Sequence, residues 1–233
     1  MEEVVKLHGI SYNLFTYRVI WGLKLKGIPF EYIEEEHSDK SPFILQHNPV
    51  FKSFPVLFHR PPTAKPICDS MVILEYIDQT WPHNPLLPTH PYRRAVARFW
   101  AKFAHDRGQC IGRMYYSTGE EQAKAIEETL EMLRIVEEGP VGEERFMCGG
   151  ETVGMVDLAF AVIPQWLEVI EDVVGLNLPF HYVSTKADFG MVDWGPLLYI
   201  FDALYAVIDF HLGGPELSLD TLLLVNYGIT HIP

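Results

Sequence analysis

Apolar and polar residues alternate over "EVVKLHGI", residues 3–10, the period-two pattern of a strand with one covered face. The period then lengthens: "FTYRVIWGLKLKGI" sets Val19, Ile20 and Leu23 along one side of a helix, with Gly27 as its stop. "PFEYIEE" predicts a second strand. "SPFILQHNP" predicts a short helix with Ser41 as cap and Pro42 in its first turn. "FPVLFH", entered through Pro55, and "KPICD" predict two adjacent strands. "SMVILEYIDQTW" predicts a helix with Val72, Ile73, Tyr76 and Ile77 on one face.

The element order is therefore βαβαββα, a thioredoxin-like layout with a mixed sheet over residues 1–81. "WPHNPLLPTHP" follows, with four prolines in eleven residues, and residues 82–91 read as a linker. Beyond it the pattern is helical. "YRRAVARFWAKFAHDRGQCIGRMYY" and "EEQAKAIEETLEMLRIVEE" are long and amphipathic, whereas "GETVGMVDLAFAVIPQWLEVIEDVVG" is apolar nearly all round and predicts a buried helix. Pro164 inside that pattern predicts a kink, because it removes a backbone donor. Residues 92–233 thus read as a second, helical domain, of which 179–233 are atypical: "DTLLLVNYGITHI" is strand-like.

Charge narrows the function. The chain of 233 residues has a formal charge of −13, which excludes the basic surface that nucleic-acid binding needs. Beyond Arg145 there is one basic residue, Lys186, against eleven acidic ones, so an anion site belongs in the first half. The start, "MEEVVKLHG", has neither a signal peptide's apolar core nor a transit peptide's arginines, and no apolar run is long enough to span a bilayer. Cys68, Cys110 and Cys148 are too far apart for a paired motif and read as reduced thiols of a cytoplasmic protein. The ten histidines are scattered without zinc-ligand spacing, so no metal is expected.

Together "KSPFILQHNPV", "FPVL", "DSMVILEYIDQTWPHNPLLP", "ARFWAKF" and "GETVGMVDLAF" resemble a plant tau-class glutathione transferase, in register from about residue 4 to residue 178. The resemblance implies a thioredoxin-like glutathione-binding domain, an all-helical domain with a pocket for apolar electrophiles, and a homodimer that serves detoxification and stress responses. It carries the catalytic serine of the family onto Asn13. Lys40 would reach the glycyl carboxylate of glutathione. Ser53 stands where the family has a lysine, keeping a donor and losing a charge. A cis Pro55 would present the backbone of Phe54 to the cysteinyl backbone of the ligand. Asp69 would take the γ-glutamyl ammonium, with Ser70 and the first amides of its helix taking the neighbouring carboxylate. Tyr12, Phe15 and Trp166 would wall the electrophile pocket.

Several of these residues also have a plainer reading: Pro55 as a strand-entry proline, Ser70 as a helix cap, Lys40 as a solvated lysine, Trp166 as core. For Asn13 the choice matters most. Its amide can donate to the glutathione sulfur and favour thiolate, or it can merely cap the helix that follows. Two functions stay open on the sequence: conjugation of glutathione to hydrophobic electrophiles, weakened by Asn at this position, or non-catalytic carriage of glutathione or apolar ligands. A thiol-exchange enzyme fits less well, because no cysteine stands at the helix start.

Overall fold

The computed structural model describes residues 4–10, 13–35, 41–59, 65–139, 147, 152–161, 163 and 167. The chain divides into two compact units between Trp81 and Pro82.

In the first unit the order is β1 (Val5–Gly9), α1 (Leu14–Leu25), β2 (Glu31–Glu34), α2 (Pro42–His47), β3 (Val56–His59), β4 (Ile67–Cys68) and α3 (Ser70–Thr80). The strands form one sheet in the order β2-β1-β3-β4. β1 runs parallel to β2, with Leu7 opposite Tyr32, and antiparallel to β3, with Leu7 opposite Leu57. The alternation read from the sequence is real: Val5, Leu7 and Gly9 are buried while Lys6 and His8 are half-exposed on the other face. There His8 stacks on Phe43 of α2, its Nδ1 lying 2.8 Å from Glu35 Oε1.

α1 and α3 pack together against the other sheet face, and a buried ion pair joins them, Lys26 Nζ to Asp78 Oδ1 at 2.9 Å. α1 buries Val19, Trp21 and Leu23; Ile20, expected with them, is half-exposed. α1 ends where Gly27 takes φ 64°, a left-handed conformation that glycine adopts without a Cβ clash. α2 is capped as expected, Ser41 Oγ accepting from the Ile44 amide at 3.1 Å. α3 corrects the sequence reading. Its buried face is Ser70, Ile73, Leu74 and Ile77, and Val72 is 55% exposed. The helix begins at Ser70, so positions 70, 73, 74 and 77 share the inner stripe.

The second unit begins with the irregular stretch 82–90, then α4 (Pro91–Arg107), α5 (Gln109–Tyr116), α6 (Glu120–Glu138) and α7 (Met155–Phe160). The first long amphipathic pattern, residues 92–116, falls into two helices, α4 and α5. At Gly108 the hydrogen bonding switches to the tighter three-residue step, Ile111 N–H to Gly108 C=O at 3.2 Å, because glycine stabilises the helical backbone poorly. All six residues of α7 are buried, five of them apolar and the sixth Asp157. Asp157 ties its start together: one carboxylate oxygen accepts from the Gly154 amide at 2.7 Å and the other from Met147 at 2.9 Å. Desolvation pushes this carboxyl up to about 6, against the lowering effect of those amides. The Pro164 kink and residues 179–233 lie outside the described residues.

Candidate functional site

Two helix starts and one turn of the first unit carry most of the singled-out residues. At the first, β1 ends in Gly9 because there is no room for a side chain. A Cβ there would lie 2.3 Å from Thr16 Cγ2, so the strand end seats against the first turn of α1. Asn13 is the N-cap of α1, with extended backbone at φ −88° and ψ 116°. Its Oδ1 accepts from the amides of Phe15 at 2.8 Å and Thr16 at 3.1 Å. Two backbone donors fix which end of the side-chain amide is oxygen. The Nδ2 end is thereby directed away from the helix, and among the described residues it has no acceptor. Phe15, the next residue but one, is 38% exposed.

The turn between α2 and β3 is built by Asn48, which is buried. Its Nδ2 donates to the Ser53 carbonyl at 2.8 Å, its Oδ1 accepts from Phe51 N at 3.3 Å, and its own carbonyl accepts from Lys52 N at 2.9 Å. Lys52 is left-handed at φ 52°, not extended, which lets the chain turn into Ser53 and Phe54. The Phe54–Pro55 bond is cis. Phe54 is buried among Ile10, Ile44 and Val56, while Ser53 stays exposed.

At the second helix start, Asp69 rather than Ser70 is the cap of α3. Asp69 Oδ1 accepts from Met71 N at 2.9 Å and Val72 N at 3.1 Å. Those amides were expected to bind a ligand carboxylate, and they are already engaged. Asp69 holds φ 74° and ψ 126°, an unfavourable conformation for a residue with a Cβ. Ser70 is buried, and its Oγ accepts from Arg18 Nη1 at 3.1 Å. Arg18 lies wholly inside the unit, 5.3 Å from the Phe15 ring centre. Desolvation pulls its guanidinium down to about 10, with the Asp69 carboxylate acting upward, so it is charged at neutral pH.

The structure thus joins Phe15, Asp69 and Ser70 through Arg18, and it holds Ser53, Phe54 and Pro55 through Asn48. The sequence reading gave neither Arg18 nor Asn48 a role. Arg18 had one available signal, a charge among the buried positions Thr16, Val19 and Trp21. Asn48 had none beyond its place before Pro49. Tyr12, Lys40 and Trp166 lie outside the described residues. Among the described residues no group of His, Cys, Asp and Glu has metal-binding geometry.

A mixed sheet in this order with a cis-proline before β3, followed by a helical unit, defines the glutathione transferase fold. Residues 14–80 match the family model described as "Glutathione S-transferase, N-terminal domain". A probable glutathione S-transferase of Solanum tuberosum is 44% identical over 174 residues, spanning 75% of this chain and 78% of that protein. Glutathione S-transferase U7 of Arabidopsis thaliana is 40% identical over 178 residues, 76% of each chain. Among solved structures, the tau-class glutathione S-transferase of mango, Mangifera indica, has a TM-score of 0.69 at 29% identity, covering 87% of both chains. Rice GST1, solved in complex with glutathione, has a TM-score of 0.71 at 29% identity over 97% of both. The chain belongs to the glutathione S-transferase family, in its plant tau class.

Proposed function

We propose that this transferase joins the sulfur of reduced glutathione to hydrophobic electrophiles, and that Asn13 supplies the hydrogen bond that makes the sulfur reactive. In the reaction the thiol loses its proton to solvent and the thiolate attacks, for example, the chlorine-bearing carbon of an activated aromatic chloride. The C–S bond forms and chloride leaves. The observation that carries this reading is the orientation of Asn13: its oxygen is committed to the helix cap, so its N–H faces outward. A donor aimed at a thiolate favours the charged form, and the start of α1 adds a smaller effect of the same sign.

Binding of the peptide is assigned to the rest of the site. Ser70 accepts from Arg18, which has no acceptor, so the hydroxyl hydrogen of Ser70 is turned elsewhere. That hydrogen meets the γ-glutamyl carboxylate, and Asp69 takes the ammonium. Phe54 pairs with the cysteinyl backbone, Ser53 and Lys40 attend the glycyl end, and Phe15 is assigned to the electrophile pocket. We assign the work to cytoplasmic detoxification under stress; the free thiols Cys68 and Cys110 support a reducing compartment. A second copy completes a homodimer, for which the neighbouring side chains Val50 and Phe51, 79% and 72% exposed on the Asn48 turn, are a covering surface. Light scattering of wild type and Phe51→Glu tests this: a dimer that loosens in the variant is expected, and a wild-type monomer would sink the assignment.

The functional test is conjugation by wild type and Asn13→Asp. Asp keeps the capping oxygen and replaces the outward donor by a charged acceptor. Turnover is expected to fall by about ten- to a hundredfold, the worth of one charge-assisted hydrogen bond of roughly 1.5–3 kcal/mol. Unchanged turnover would remove Asn13 from the mechanism, and wild type that binds glutathione without conjugating anything would leave the carrier role instead.

A further inference from the structure

The second unit contains a cavity of about 240 Å³ that shares no residue with the site above. Its apolar lining is Leu86, Ala97, Met155 and Val156, all buried, and its exposed edge carries Thr89 and Arg93. The walls are tied rather than loose. Arg94 Nε donates to the Pro88 carbonyl at 2.8 Å and fixes the proline-rich stretch. The Met155 amide donates to the Leu86 carbonyl at 2.8 Å, joining that stretch to α7. Asp157 lies in the wall as well, but its two oxygens are engaged by the Met147 and Gly154 amides. A cavity held open in this way binds without first having to order its walls.

Size and charge narrow the occupant. An apolar cavity of about 150 Å³ takes a benzene-sized molecule, so this one takes about ten non-hydrogen atoms. The cation at the edge is Arg93, and apart from Asp157, whose oxygens are engaged, the buried lining is apolar. We propose that this cavity binds a small apolar carboxylate, its ring or short chain against Leu86, Met155 and Val156 and its charged head at Arg93. Such a ligand occupies the protein together with glutathione rather than in place of it.

The test is titration calorimetry with 3-phenylpropanoate and its uncharged amide, with and without saturating glutathione. Saturable binding of the carboxylate, unaffected by glutathione, is expected in wild type. Arg93→Gln, at an exposed position, is expected to bind about three- to fivefold more weakly and to lose its preference for the carboxylate over the amide. Ala97→Leu, which fills the cavity from α4, is expected to abolish binding. If that variant does not fold, Thr89→Trp blocks the same space from the exposed edge. No binding to wild type, displacement by glutathione or a glutathione conjugate, or undiminished binding in the folded blocking variant would overturn the proposal.

Discussion

At the scale of single residues, the proposed mechanism gives one side chain two tasks, one for each of its ends. Asn13 caps α1 through oxygen, and in the proposed mechanism its nitrogen donates to the ligand sulfur. Asn13→Asp separates the tasks, because Asp and Asn cap about equally well. Its stability by urea unfolding should lie within about 0.5 kcal/mol of wild type while conjugation collapses, whereas Asn13→Ala should lose about 1 kcal/mol of stability as well. Ser70→Ala is expected to raise the glutathione KM up to about tenfold with little change in kcat, since the proposed role of the hydroxyl is toward the peptide and not the sulfur. A kcat that falls as far as kcat/KM would contradict that role. The sequence could name Asn13, Asp69 and Ser70 by register. It could not say that a buried arginine would orient Ser70, because that hydrogen bond joins positions 52 residues apart. Nor could it say that Asp69 would engage the first amides of α3, because that cap rests on the unusual backbone of Asp69 at φ 74°.

At the scale of elements, the first unit was legible because each strand and helix carries its own local signal. Ser41, Pro42 and Gly27 mark boundaries that the backbone obeys. What failed was detail set by neighbours. The buried stripe of α3 shifted, and Gly108 divided a helix whose apolar spacing runs on through it. The junction of β1 and α1 offers a sharper test of packing. Gly9→Ala forces a Cβ against Thr16, where overpacking costs about 1–3 kcal/mol. Thr16 is buried, and its hydroxyl has no partner among the described residues, so removing it forfeits no hydrogen bond there. Gly9→Ala with Thr16→Ala should therefore be more stable than the sum of the single changes predicts, as read from unfolding midpoints. Simple additivity would show that the contact is not the constraint.

At the scale of the molecule, charge and proton binding matter. The excess of acidic residues beyond Arg145 leaves the cations in the first half, and the buried Arg18 is beside the proposed ligand carboxylate. In the second unit, Asp157 titrates near 6 when folded and near 3.8 when unfolded. Between those values the folded state holds the proton more tightly, so this group's contribution to stability is full below pH 4 and is lost as pH rises to about 6. The loss is about 3 kcal/mol, at about 1.4 kcal/mol per unit. Asp157→Asn should lack that slope in unfolding experiments from pH 4 to 7, and an equal slope in both proteins would assign it elsewhere. The central claim concerns the sulfur, and ultraviolet titration of glutathione bound to the wild-type protein tests it most directly. Thiolate absorbance should rise with an apparent pKa about one to two units below that of free glutathione, the effect of one charge-assisted hydrogen bond. Bound glutathione that titrates like the free peptide would mean that Asn13 only caps α1 and that the protein carries its ligand without activating it.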